Sequence, residues 1–105
     1  RNSILSRRAN DKNFPYWGYR IRERAPQVGD LVGYARKGGI SYDYQPVVYP
    51  SHTDLVVAVR PNEIDVIGGN VKDSVTKKTL RTDNSGFLVD QQYRWFVVMA
   101  PNPSN

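Results

Sequence analysis

The stretch "SHTDLVVAVRPNEIDVIGGN" (Ser51–Asn70) decides how the chain is read. Within it "DLVVAVR" (Asp54–Arg60) is nearly continuous in apolar, largely β-branched residues, the composition of a strand buried on both faces. "PNE" is a tight turn, and "IDVIGG" (Ile64–Gly69) alternates well enough to return as the second arm of a hairpin. With the turn centred near Asn62, residue i faces roughly 123 or 124 minus i, the pairing of a tight hairpin. His52 then falls opposite Asn70 to Lys72. His52 is the chain's only histidine and stands at the start of a strand, a rigid platform where a general base can be both oriented and reached. An asparagine oxygen across from it can accept from the imidazole and fix its tautomer, as the third member of a triad does. The plainer alternatives are a histidine that caps backbone groups and an asparagine in a turn or bulge after Gly68-Gly69.

Working outward, "DLVGYAR" (Asp30–Arg36) reads as an earlier strand after the "APQVGD" turn. "KGGISYDYQPVVYPS" is a loop, and "NVKDSVTKKTLRTD" is a more exposed, kinked strand. "DNSG" (Asp83–Gly86) is a turn, and "YRWFVVMA" (Tyr93–Ala100) is a final strand ended by Pro101. At the other end, "NSILSRRAN" suits a short helix with an N-cap at Asn2 or Ser3, and Pro15 leaves Phe14–Ile21 extended or looped. The expected fold is α+β and mainly β. It is a small curled antiparallel sheet or barrel of five to six strands with a short N-terminal helix. Residues 1–25 form a basic segment with the helix and an aromatic loop, and residues 26–105 form the β domain.

The chain has 105 residues, enough for a single core. Its net charge of +5, with 15 Lys and Arg against 10 Asp and Glu, favours an anionic partner or simply a solvated basic face. Much of that charge lies early, in "RNSILSRR" and "YRIRERAP". There are no cysteines, which excludes disulfides, thiolate metal sites and an in-chain cysteine nucleophile. One histidine with scattered aspartates gives no zinc spacing, and neither a phosphate loop nor a nucleic-acid signature is present, so no cofactor or metal is expected. No apolar run has membrane-spanning length. The start at Arg1, without Met or signal peptide, reads as a fragment, a mature product or a trimmed chain.

"PQVGDLVGYAR", "HTDLVVAV" and "IDVIGGNV" together resemble the C-terminal half of papain-like cell-wall peptidases, the NlpC-type endopeptidases and CHAP amidases. They resemble still more a bacterial domain family of unknown function in that superfamily, over roughly Pro26 to Met99. The resemblance implies a peptidoglycan amide hydrolase in which a cysteine at a helix start attacks the amide. It also implies a histidine base, matched by His52, and a polar ring orienter, matched by Asn70. The nucleophile belongs upstream of the Gly-Asp strand, where only Ser3 and Ser6 offer hydroxyls on a possible helix; it is therefore upstream of Arg1 or lost. The same resemblance implies a bacterial periplasmic or secreted domain, of effector or toxin type. Its partners would be peptidoglycan or another anionic envelope polymer, an inhibitor or immunity protein, and the missing N-terminal segment of the same protein.

Asp54 lies one alternation from His52 on the same face, and is either a second polar partner or a structural carboxylate bonded at the strand edge. Asp30 suits a turn cap. Arg36 can fork onto a substrate carboxylate, or pair with Asp54 or Asp43, the second being the stronger expectation. Tyr34, Tyr49 and Trp17 are the aromatics expected to touch substrate, although edge packing explains most tyrosines in so small a sheet. The reading from another class is a non-catalytic barrel that binds peptide, glycan or nucleic acid through its Tyr/Arg surface.

Overall fold

In the computed structural model, which describes residues 2–69 and 75–103, helix α1 spans Ser3–Arg8. Asn2 caps it by accepting from the Leu5 amide at 2.9 Å, and Arg7 and Arg8 lie in its last turn, where the helix dipole favours cations. The strands are β1 (Tyr16–Tyr19), β2 (Leu31–Ala35), β3 (Ser51–Arg60), β4 (Glu63–Gly69), β5 (Val75–Arg81) and β6 (Trp95–Pro101). They form one antiparallel sheet of six strands in the order β1-β6-β2-β3-β4-β5. Strands β1 and β5 are its edges, so the sheet is open and the barrel alternative is not realised. Within the first 25 residues, β1 pairs with β6 at one edge of the sheet.

The β3–β4 hairpin forms where the sequence places it. Asn62 occupies the left-handed region at φ 66, the conformation a turn with Pro61 at its first central position places at the second, and one asparagine tolerates. The pairs Arg60↔Glu63, Val59↔Ile64 and Ala58↔Asp65 keep the expected register. A bulge between Val56 and Ala58 then shifts it by a residue, to Val56↔Val66 and Leu55↔Ile67. Asn70, the expected neighbour of His52, lies outside the described residues.

Strand alternation separates two faces. Val32, Val56, Ile64, Val66, Leu80 and Val98 bury together on the inner face, with Leu88 folded over them. On the outer face α1 crosses β1 at Gly18, where a Cβ would sit 2.8 Å from Ile4 Cγ1; Ile4, Val97 and Tyr42 pack there with Phe96 and Met99. This helix is too short to reach β3. The outward row Leu55, Val57 and Val59 stays 37%, 37% and 44% exposed, so β3 is buried on one face and not on both.

The early cations are largely consumed within the fold. Arg7 pairs with Glu23, Arg8 and Arg20 with Asp43, and Arg24 with Asp30, while Arg7 also lies 4.2 Å over the Tyr19 ring and Arg20 lies 4.5 Å over Tyr42. Asp30 is buried and also accepts from the Gln27 amide at 2.9 Å, which makes it a turn cap as well as an ion-pair partner.

Asp65 lies on the outer face of β4 under Arg60, which forks onto it at 2.7 and 2.8 Å, and Thr79 Oγ1 donates to it at 2.7 Å. Arg60, then Thr79, hold its carboxyl well below the usual range. A depressed folded value stabilises above the ordinary aspartate value, about 4, and the gain is lost as pH falls below it toward the folded value. Arg60→Gln is therefore expected to lower stability at neutral pH and to converge on wild type below about pH 4. Denaturant melts across that range check this, and a gap unchanged in acid would refute it.

Candidate functional site

The inner face changes character along its length while its alternation continues. On β3 the inward residues run Val56, Asp54, His52; on β2, Val32 then Tyr34; on β4, Val66 then Gly68; on β5, Leu80 then Lys78. Each strand thus leaves the apolar core and enters a polar cluster in one two-residue step. Asp54 is directly opposite Val32, and His52 is opposite Tyr34.

Asp54 is 1% exposed, and its charge is met from both sides. Oδ1 lies 2.5 Å from His52 Nε2, and Oδ2 accepts from Lys78 Nζ at 3.2 Å. A buried carboxylate without such partners is strongly disfavoured. Room for it comes from Gly68, where a Cβ would intrude on the carboxylate and come within 2.9 Å of His52 Nε2. The other imidazole nitrogen, Nδ1, is 3.1 Å from Arg36 Nη2. A guanidinium only donates, so Nδ1 must accept, and Nε2 therefore carries the hydrogen given to Asp54. The network fixes a single neutral tautomer whose lone pair points toward Arg36. The His52 side chain is 13% exposed, placing the ring at the rim of the buried region.

Aromatic rings wall the cluster. Tyr34 lies 5.1 Å from the His52 ring, stacks on Tyr93 at 4.6 Å and meets the Trp95 edge at 4.9 Å. Lys78 Nζ hangs 4.6 Å over Tyr93 and 5.6 Å over Tyr34, so its charge is shared between Asp54 and the two ring faces. Asp90 orders the segment that carries Tyr93, accepting from the Gln92 amide at 3.0 Å and from Trp95 Nε1 at 3.2 Å. Among the described residues no group of side chains could hold a metal ion, and no helix is long and apolar enough to cross a membrane.

Residues 3–100 match DUF2272, described as an uncharacterized protein conserved in bacteria. The chain belongs to this family. No curated protein and no solved structure matches it.

Of the residues singled out in this DUF2272 chain, His52, Asp54, Arg36 and Tyr34 come together. Arg36 makes neither of its expected ion pairs: Asp54 is taken by His52 and Lys78, and Asp43 by Arg8 and Arg20. Tyr49 lines a cavity of about 320 Å³ between α1 and the sheet, with Ile4, Leu31, Phe96, Val97 and Met99. Trp17 is buried on β1 and donates from its indole to the Asp11 carbonyl at 3.0 Å, away from the His52 cluster. Ser3 borders the cavity on the α1 side of the sheet, whereas the His52 imidazole points to the inner face, where Asp54 and Arg36 engage both its nitrogens. Ser6 Oγ is buried and has no hydrogen-bond partner among the described residues. Lys78, Gly68, Tyr93, Trp95 and Arg94 were not foreseen. The inward alternation Leu80, Lys78 is the one sequence signal that points to any of them.

Gly68→Ala pushes a methyl into the space of the Asp54 carboxylate. It is expected to cost about 1–3 kcal/mol of stability, as overpacking does. It should also erase the downfield His52 Nε2 proton resonance that the Asp54 bond produces. A folded variant that keeps this resonance would show that the glycine does not create the site.

Proposed function

We propose that this domain is the histidine-bearing half of a papain-like amide hydrolase, an endopeptidase or amidase acting on peptidoglycan. Its nucleophile comes from outside the described residues. The observation that carries the reading is the 2.5 Å contact of His52 Nε2 with the buried Asp54. A carboxylate in that position orients the ring, fixes the tautomer and stabilises the imidazolium that forms when the opposite nitrogen takes a proton. Nδ1 is that nitrogen: it accepts the proton of the attacking group and returns it to the departing amine. Asp54 fills the role that the resemblance assigns to Asn70. The net charge of +5 suits an anionic wall or envelope polymer, in the bacterial periplasm or outside the cell, and an acidic inhibitor protein is the matching partner.

A binding module without catalysis is the second reading, and one contact favours it. Arg36 occupies the lone pair that a base needs free. The full-length protein, incubated with purified peptidoglycan, separates the two. Under the hydrolase reading new amino groups appear with time, and His52→Ala slows their release by a factor on the order of 10² to 10⁴. Sedimentation with the wall polymer without any release, unchanged in His52→Ala, would sink the hydrolase reading in favour of the binding module.

A further inference from the structure

Beside His52 a groove of about 550 Å³ is lined by Tyr34, Arg36, Gln91, Gln92, Tyr93 and Arg94, together with Ala35. No carboxylate among the described residues lines it. That is unusual for this molecule, in which Arg7, Arg8, Arg20, Arg22, Arg24 and Arg60 each pair with an aspartate or glutamate. Arg36 and Arg94 have no such partner among the described residues, and both belong to this groove. Arg94 reaches across to the loop after β2, where its Nη1 lies 3.6 Å from the position a Gly38 Cβ would take. Tyr93, stacked on Tyr34, adds an aromatic surface to the same groove and is itself 37% exposed.

We propose that this groove binds the carboxylate of a short peptide, with Arg36 and Arg94 as its anion clamp and Tyr93 packing against the adjoining residue. A guanidinium pairs with a planar carboxylate through two parallel hydrogen bonds between opposite charges, a stronger interaction than the single bond Arg36 gives the uncharged His52 Nδ1. Binding therefore draws Arg36 off the imidazole and uncovers the Nδ1 lone pair. Arg36 acts as a substrate-sensitive cover: it blocks His52 in the empty site and leaves when the anion arrives. The uncovering rests on the reading of His52 as a base, whereas the carboxylate clamp does not.

The test uses the full-length protein, N-acetyl-alanyl-alanine and the same dipeptide as its C-terminal amide, with inorganic phosphate as a third probe. Binding is followed by NMR on the Arg36, Arg94 and Tyr93 resonances and on His52 Nδ1 at constant pH. The acid is expected to bind saturably, the amide and phosphate at least about tenfold more weakly, and Arg94→Gln to weaken the acid by about tenfold or more. The His52 Nδ1 resonance should shift with the acid alone. Equal binding of acid and amide, preference for phosphate, or indifference to Arg94→Gln in a folded variant would overturn the clamp. Acid binding that leaves Nδ1 unmoved would overturn the uncovering. A protein that binds the acid through Arg94 but cleaves no peptidoglycan would keep the clamp and refute the hydrolase reading alone.

Discussion

The burial of the Asp54 carboxylate is the constraint around which the rest of the site is arranged. A carboxylate 1% exposed persists as an anion only if cations or donors meet it, and here both oxygens are met, one by His52 and one by Lys78. Those partners come from β3 itself and from β5, with Gly68 of β4 leaving the gap between them. Three neighbouring strands must therefore be in register before the charge is satisfied. The site is an extension of the hydrophobic core by one more alternation, so its geometry is as rigid as the sheet that carries it.

Charge is partitioned in the same economical way. The basic N-terminal segment looks like a surface for an anionic partner, but Glu23, Asp43 and Asp30 take up much of it, and the Tyr19 and Tyr42 rings take the guanidinium faces. The exposed pairs among these, Arg7–Glu23 and Arg20–Asp43, add little stability, and their larger effect is to cancel the local field. Among the described residues, the arginines beside His52 that lack an acidic partner are Arg36 and Arg94. Net charge alone would have pointed to the wrong end of the chain.

How much of this was legible in the sequence follows from how local each signal is. The hairpin was written in a continuous apolar run, a turn and an alternating return, and Asn62 at φ 66 shows why that turn works. The capped helix and the last strand were equally local. The bulge at Val57 was not legible, because nothing in "DLVVAVR" distinguishes a residue that pairs from one that is skipped, and a one-residue slip moves every later partner. The two-sided burial of β3 failed for a related reason: valines are as compatible with an uncovered face as with a covered one, and the covering element is a six-residue helix at the other end of the sheet. Within the site, His52 and Asp54 stand out because they are two residues apart on one strand. Lys78 and Arg94 are remote in sequence, and only the strand order β6-β2-β3-β4-β5 brings their elements around the histidine.

The contact between Arg36 and His52 bears differently on the two readings of the site. If the imidazole were merely structural, His52 and Lys78 would already satisfy the buried Asp54 charge, and a further polar group on Nδ1 would be unnecessary for folding. An exposed arginine loses side-chain freedom when it is held in one position, and a single hydrogen bond to a neutral ring returns little more than that loss. Such a contact is easily exchanged for a better acceptor. A carboxylate in the adjoining groove is a better acceptor, because it brings charge and accepts the fork bidentately. The weak interaction is therefore the part of the network suited to change on binding, while the strong one, between His52 and a carboxylate sealed under Gly68, is suited to stay.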